Sequence, residues 1–586
     1  MNRRAGIGAP LAVALGVTAF AAAWRRYGVF DFADEGLLLS QAWRAAHGQV
    51  PHVDFETGYG PLFFLLQGTV LRAGGLVGMR LVLAAVHGAA AGFCFALARR
   101  LAGATAAWLA VALQVALFLP VSARLGTPIN IPYPAWYGGV AGVAIAWLVT
   151  APTARRLLAA GVIAGAVAAI KPNSGVLLVA GAALAAVVGE GRRGLLGAAI
   201  PALVALTAIV LVAPSGLSST GVVLVPVVIA VALRAAARVT DDRTALPRLV
   251  VLGIGFLVVV VPAYAPSFAT LGPAGFAHDV LLLGAGVADV YELPFPTRAV
   301  VPMLLVLLLV ALGPPRDRRQ LGALLGIVVF AALLYLWAVA IDPGAIARWL
   351  REDVETGLLV LAPLVVWAAL AISFATPEIV APAAVAATAL LQLYPRPDFA
   401  HLLPLGPVLL PLLVVLPRTD SARRWGFGLG AVAATARVAP TALALGALLL
   451  GRVETVSVGR ESLAIAPAGA ARLRALGGAV QALAAHTPPD ATVLAFPACT
   501  VVSFFADRRP AGVYDYFFPG RPDRAQVDAL LATLAPAPPA AAVTCTAEGT
   551  GLARAWDYYP AMVTFLDTRY RVTDSAPPFA VREVRR

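Results

Sequence analysis

Apolar and polar residues along this chain fall into blocks. From near the N-terminus to about residue 450, long apolar runs such as Val250–Pro262 and Leu304–Leu312 alternate with short polar hinges. About 20 apolar residues let a helix cross a hydrocarbon core roughly 30 Å thick, and lipid offers free backbone groups no partner. The pattern therefore predicts a helical bundle, with spans near 7–24, 77–98, 104–121, 135–150, 157–170, 174–189, 195–213, 217–233, 248–264, 299–313, 321–341, 357–375, 378–394, 401–417 and 426–450. The segment 61–74 is apolar but short, and reads as a re-entrant or interfacial helix. The first run is long for a signal peptide and no small-x-small site precedes Arg25, so it reads as a first span. After Arg452 the periodicity changes. Helices are expected at 470–486 and 525–534, and strands at 491–496, 540–545 and 579–584. The expected fold is a polytopic α-helical membrane protein of about 13–15 spans over residues 1–450, followed by a small α/β domain over 451–586.

Composition agrees. Only 13% of the 586 residues are charged, 60% are hydrophobic and the mean hydropathy is +0.84. A soluble chain carries about a quarter charged residues. The net charge of +13 and pI near 10.2 raise the question of nucleic acid, but the arginines form no continuous basic face, and no nucleic-acid partner is expected. They cluster between blocks: Arg99–Arg100, Arg155–Arg156, Arg192–Arg193, Arg234 to Arg248, Arg316 to Arg319, and Arg418 to Arg424. Excess arginine on cytoplasmic loops then orients the chain, with the N-terminus in the cytoplasm and the C-terminal domain outside a cell's inner (plasma) membrane. The hinge at Glu378 and the outer pair Arg25–Arg26 run against this rule.

In that orientation the candidate chemistry gathers on the outer face. Apolar positions Leu38, Ala42, Ala45 and Ala46 predict an amphipathic helix on the membrane after Asp34. Asp34 and Glu35 point about 100° apart on it, so they do not serve one substrate atom alike. A carboxylate beside apolar groups acquires a raised pKa and can act as a general base; the alternative is a helix cap. Asp54 and Glu56 lie further along the same loop. Lys171, the only lysine, stands in Lys-Pro-Asn on the outer side, where it either meets a lipid phosphate or snorkels to headgroups. Arg396, Asp398 and His401 form Pro-Arg-Pro-Asp-x-x-His in a later loop, suited to a phosphate or sugar hydroxyls, or else to a capped helix start with a surface ion pair. The loops 265–298 and 342–356 add further charges. The histidines are scattered without metal-ligand spacing. Cys499 and Cys545 both fall in the tail, where an oxidising compartment permits a disulfide between them.

Asp34-Glu35-Gly36, then Gly48, Pro51, Asp54-Phe55, and Gly60-Pro61-Leu62, together resemble the first external loop of the GT-C glycosyltransferases. The likeness is to the branch of protein O-mannosyltransferases, the lipid A aminoarabinose transferase and bacterial lipopolysaccharide galacturonosyltransferases. It covers roughly residues 1–450 and is strongest over 28–62. The resemblance implies a polyprenyl-phosphate sugar donor, an envelope lipid, glycan or protein acceptor, and a first-loop base at Asp34, with Glu35 beside it. In it Gly48, Pro51, Asp54, Gly60 and Pro61 match as supporting framework, and Asp54, Glu56, Lys171, Arg396, Asp398 and His401 are the residues expected to bind substrate. No cofactor is expected; a divalent cation on Asp34, Asp54 or Glu56 would match the oligosaccharyltransferase branch, but the closer branches work without one. The rival reading is a transporter or flippase for a lipid-linked solute. Transporters place ionisable groups near the bilayer midplane, whereas here they crowd the outer loops.

Overall fold

The computed structural model describes residues 5–29, 31–119, 128–189, 194–213, 218–238, 240–281, 292–296, 345–374, 376–416, 446, 450–546 and 554–585. The expected spans 299–313 and 321–341, nearly all of 426–450, and the arginine groups at 316–319 and 418–424 lie outside these residues.

The membrane portion is built from α1 (Ala5–Ala23), α2 (Asp34–Ala46), α3 (Pro61–Leu113), α4 (Pro134–Val149), α5 (Ala154–Ala168), α6 (Pro172–Val187), α7 (Leu195–Val212), α8 (Ser219–Ala236), α9 (Asp242–Phe276), α10 (Ala345–Ile372), α11 (Val380–Leu390) and α12 (Gly406–Leu413). Among the described residues four helical stretches are long and apolar enough to cross a membrane: Pro61–Phe118, Leu195–Val212, Asp242–Val280 and Glu355–Ile372. Six shorter apolar helices stand beside them. The chain is a mostly helical, multi-pass membrane protein.

Three helices run head to tail within α3, because the backbone leaves the helical region at Gly75 (φ 59) and Gly103 (φ 87). A residue with a Cβ is strained at such angles. The short apolar segment 61–74 is thus a helix of its own. Small residues then set how closely helices approach. Gly161 and Gly165 of α5 face Leu252 and Phe256 of α9, where an added Cβ would stand 2.1 and 2.6 Å from their carbonyl oxygens. Gly88 and Gly92 of α3 seat Thr18, Ala14 and Pro10 of α1 in the same way. With no hydrophobic drive between helices in lipid, this small-xxx-small packing is what holds them together. Two regions expected as outer loops are partly helical. α9 runs on through Phe276 into a π-helical turn, Ala277–Leu281, and α10 starts at Ala345 inside the 342–356 segment.

The C-terminal domain begins with a hairpin, β1 (Glu454–Val458) and β2 (Glu461–Ile465), followed by α13 (Pro467–His486), β3 (Thr492–Phe496), α14 (Thr500–Phe505), β4 (Arg509–Pro510), α15 (Arg524–Leu534), β5 (Ala541–Cys545), α16 (Pro560–Arg569), β6 (Tyr570–Ala576) and β7 (Phe579–Val584). Its five-stranded sheet has the order β4-β3-β5-β7-β6. β3 runs parallel to β4 and β5, while β7 is antiparallel to β5 and β6. All five expected elements are present within a few residues. Cys499 and Cys545 are joined as a disulfide, and Cys94 stays free and buried in α3.

The domain is knitted onto the membrane portion. Arg26–Gly28, just past α1, lies along the hairpin as an extra strand, with Gly28 N donating to the Ala464 carbonyl and Ala464 N to that of Arg26, both at 2.8 Å. α2 was expected to lie on lipid. It is instead wedged between two protein layers, with no residue of Asp34–Ala46 exposed. Leu38 joins Phe55, Phe63 and Phe64, while Leu39 and Ala42 join the core of the C-terminal domain. Its apolar stripe was legible, but the layer covering the opposite side comes from residues more than four hundred positions away.

Candidate active site

Asp34 opens α2, and its position is set locally by Asp31. The Asp31 Oδ1 accepts hydrogen bonds from the backbone N–H groups of Ala33 and Asp34, each at 2.8 Å, and so caps the helix. The Asp34 Oδ2 in turn accepts a 2.7 Å hydrogen bond from the Tyr133 hydroxyl. Tyr133 stands between Pro132 and Pro134 at the start of α4. Its loop is anchored by Asn130, whose Nδ2 donates to the carbonyls of Trp24 and Tyr27 at 2.7 and 3.2 Å, and by His87 against the Ile129 carbonyl.

Burial pushes the Asp34 pKa up from 3.8 to about 6, and the neighbouring Asp31 charge adds to the rise. The Tyr133 hydrogen bond and the charges of Arg396 and His401 oppose it. The Tyr133 hydroxyl is pushed well above its ordinary range, first by burial and then by the Asp34 and Asp31 charges, so it remains a donor. Asp34 is therefore a carboxylate that exchanges a proton near neutral pH, with a neutral phenol on one oxygen.

The late loop reaches the same place. Arg396 Nε donates to Asp398 Oδ2 at 2.6 Å, and His401 Nδ1 meets Asp398 Oδ1 at 2.7 Å. Asp398 also accepts from the backbone N–H of His401 at 3.0 Å and so caps the turn of helix Phe399–Leu402. Burial alone would raise its pKa, but His401 and Arg396 outweigh that and hold the carboxyl well below the usual range. Asp398 is thus permanently ionised and orients the Arg396 and His401 side chains that act on Asp34.

Lys171 is the N-cap residue of α6, and its turn supports the first loop. Gly60 N and Leu62 N donate to the carbonyls of Ile170 and Ala169 at 2.8 and 3.0 Å. A Cβ at Gly60 would stand 2.2 Å from the Ala169 oxygen and 2.7 Å from the Tyr264 hydroxyl, so the close approach needs glycine. Burial lowers the Lys171 pKa to about 8. Its ammonium makes no hydrogen bond or ion pair with any described residue.

Three other sequence-predicted positions are engaged elsewhere. Glu35 points away from Asp34, as helical geometry requires, and pairs with Arg80 at 2.9 Å, both side chains fully buried. Arg80 also donates to the carbonyls of Arg25 and Gly28, so the pair ties α2 to the end of α1. Asp54 accepts from the Val50 N–H at 2.6 Å and closes its own loop. Glu56 pairs with Arg521 of the C-terminal domain at 2.9 Å, and its N–H donates to the Val513 carbonyl. Beside that loop, His52 is buried at positive φ (66°), and burial lowers its pKa to about 4. The structure thus brings the Arg396 and His401 charges, held by Asp398, within electrostatic reach of Asp34, sets Lys171 in the turn that supports the first loop, and turns Glu35, Asp54 and Glu56 to structural contacts.

Sequence reasoning missed Tyr133 as the partner of Asp34, although two flanking prolines mark it as held. It also missed the buried bridge between Arg44 and Asp515, at 3.0 Å. Arg44 further donates to Gln49, to the Asp54 carbonyl and to the Gly512 carbonyl, and lies over the Phe55 ring. Among the described residues no cluster of His, Cys, Asp and Glu could hold a metal ion.

Fold and site together define a multi-pass membrane protein whose loops and α/β domain enclose a proton-exchanging carboxylate at one end of a helical bundle. No family model and no curated protein matches the chain. Among solved structures it is similar to ArnT from Cupriavidus metallidurans bound to undecaprenyl phosphate, at 16% identity and a TM-score of 0.43, over 98% of this chain and 97% of that one. It is also similar to the Archaeoglobus fulgidus oligosaccharyltransferase in complex with zinc and sulfate, at 11% identity and a TM-score of 0.43, over 95% of this chain and 71% of that one. At such identities the functional reading rests on the residues of the site.

Proposed function

We propose that the protein is a membrane glycosyltransferase that moves a sugar from a polyprenyl-phosphate donor to an acceptor at the extracytoplasmic face of the inner membrane. The observation that carries this is Asp34: a carboxyl whose pKa is raised to about 6, hydrogen-bonded to Tyr133 and within electrostatic reach of Arg396 and His401, which Asp398 holds. A general base works best with a pKa near the operating pH. Asp34 takes the proton of the acceptor hydroxyl as that oxygen attacks the anomeric carbon, and the reaction inverts the configuration there. Tyr133 holds the carboxylate in place. Arg396 and Lys171 stabilise the departing lipid phosphate through charge-assisted hydrogen bonds, and the apolar bundle receives the polyprenyl tail. Glu35, Asp54 and Glu56 act in this reading as supports of the first loop. The acceptor is an envelope lipid, glycan or protein, and no cofactor takes part. The N-terminus is cytoplasmic.

Membranes containing the protein, incubated with radiolabelled polyprenyl-phosphate sugars, should yield a labelled acceptor. Label that stays wholly on the lipid phosphate, with folded protein present, would overturn the reading.

A further inference from the structure

The residues around Asp34 in the chain are gripped from the C-terminal domain at three points. Phe32 lies against Phe579, with ring centroids 5.2 Å apart, and under the Arg472 guanidinium at 4.0 Å. Ala33 packs against Ala498 and Phe518. Gly36 meets Val501 so closely that a Cβ at position 36 would stand 2.7 Å from the Val501 Cβ and 2.9 Å from its backbone nitrogen.

These contacts converge on one covalent bond. Ala498 and Val501 flank Cys499, the N-cap residue of α14. Phe579 is the register partner of Cys545 across β5 and β7. Cys499 and Cys545 are disulfide-bonded, so the two surfaces that hold Phe32 and Gly36 are fastened to each other. We propose that the Cys499–Cys545 disulfide, acting through Val501 and Phe579, is a positioning clamp that fixes the head of α2 and thereby aims the Asp34 carboxylate. These residues touch no substrate; they act through Asp34, and the proposal rests on Asp34 being the working carboxylate. Gly36 makes the clamp feasible, because only a residue without a side chain lets the backbone of α14 come this near. Glycine gives the helix head little side-chain packing of its own, so the rigidity of the opposing surface sets its position.

The test uses the full-length protein in two forms, the double variant Cys499→Ala/Cys545→Ala and, separately, Phe579→Leu, which leaves the disulfide in place. Hydrogen exchange across 31–46 is the first readout, since the Glu35 and Leu37 N–H groups bond to the Asp31 and Ala33 carbonyls in this segment. These amides should exchange at least about tenfold faster in both variants. The second readout is catalytic. kcat should fall by roughly tenfold to a hundredfold with donor KM unchanged, the signature of a misplaced reacting group. The acid limb of the pH–rate profile should also move below pH 6, as the loosened carboxylate gains water. Unchanged exchange in the folded variants would overturn the clamp. If the double variant does not fold, Phe579→Leu decides by the same criteria. Exchange is independent of the reaction assigned above. Faster exchange in a protein with no transferase activity leaves the clamp and removes the transfer reading, whereas active transfer with unmoved amides removes the clamp alone.

Discussion

Replacing Asp34 by Asn removes the proposed proton acceptor and very little else. The amide has the same shape, and its Oδ1 can still accept the 2.7 Å hydrogen bond from Tyr133. Loss of a general base lowers a rate by about 10²- to 10⁴-fold, or roughly 3–5 kcal/mol of transition-state stabilisation. Stability should move the other way. A carboxyl raised from 3.8 to about 6 is one whose ionised form the fold disfavours, by at most roughly 3 kcal/mol, and by less because the Asp34 residue is half-buried rather than sealed from water. The sign follows: wild-type protein gains stability as pH falls through about 6 towards 4, and loses that increment above. The Asn variant lacks this dependence, and above pH 7 it should melt at or above the wild-type temperature. Transfer from labelled polyprenyl-phosphate sugar, donor binding and thermal melting are measured on the same purified protein. Activity within a few-fold of wild type would refute the base assignment. Lost activity together with a lower melting temperature would refute the picture of a carboxylate held at a cost in stability.

Other outcomes follow from the same geometry. The pH–rate profile should be bell-shaped, rising as Asp34 ionises near pH 6 and falling as Lys171 loses its proton near pH 8; a flat profile between 5 and 9 would contradict both roles. Lys171→Gln should raise the donor KM about tenfold or more and abolish the alkaline limb without lowering thermal stability, because burial already disfavours the lysine charge. Arg44→Met takes the ion partner from the buried Asp515 carboxyl between α2 and the C-terminal domain, and breaking such a buried pair costs about 3–5 kcal/mol. Its melting transition should drop or split, and an unchanged melt would mean that the bridge does not hold the two portions together.

Local order was readable to different depths. The apolar blocks gave most helices of the membrane portion, and short strand-like runs gave β3, β5 and β7 within a residue or two, since both depend on neighbours a few positions apart. β1 and β2 were not foreseen although their buried positions alternate, and the third strand that joins them, Arg26–Gly28, lies far off in the chain. At the site, helical spacing correctly separated Asp34 from Glu35, but it did not say which one is tied up in an ion pair. Arg80 decides that by pairing with Glu35, and Tyr133 by donating to Asp34. Asp54 and Glu56 looked like ligands because exposed loop carboxylates are normally free; Val50 and Arg521 occupy them.

By itself, then, the sequence determined that this is a membrane bundle with an appended α/β domain and a helix headed by acidic residues. Those features need only the period of the apolar positions, the capping preference of Asp and the breaks made by Gly and Pro. The tertiary structure alone decided which carboxylate is raised in pKa and which is neutralised, and that the first loop is roofed by the tail. Desolvation and ion pairing are set by what packs within a few ångströms. Here the packing partners, Val501 on Gly36 and Asp515 on Arg44, come from the far end of the chain, beyond the reach of any local pattern.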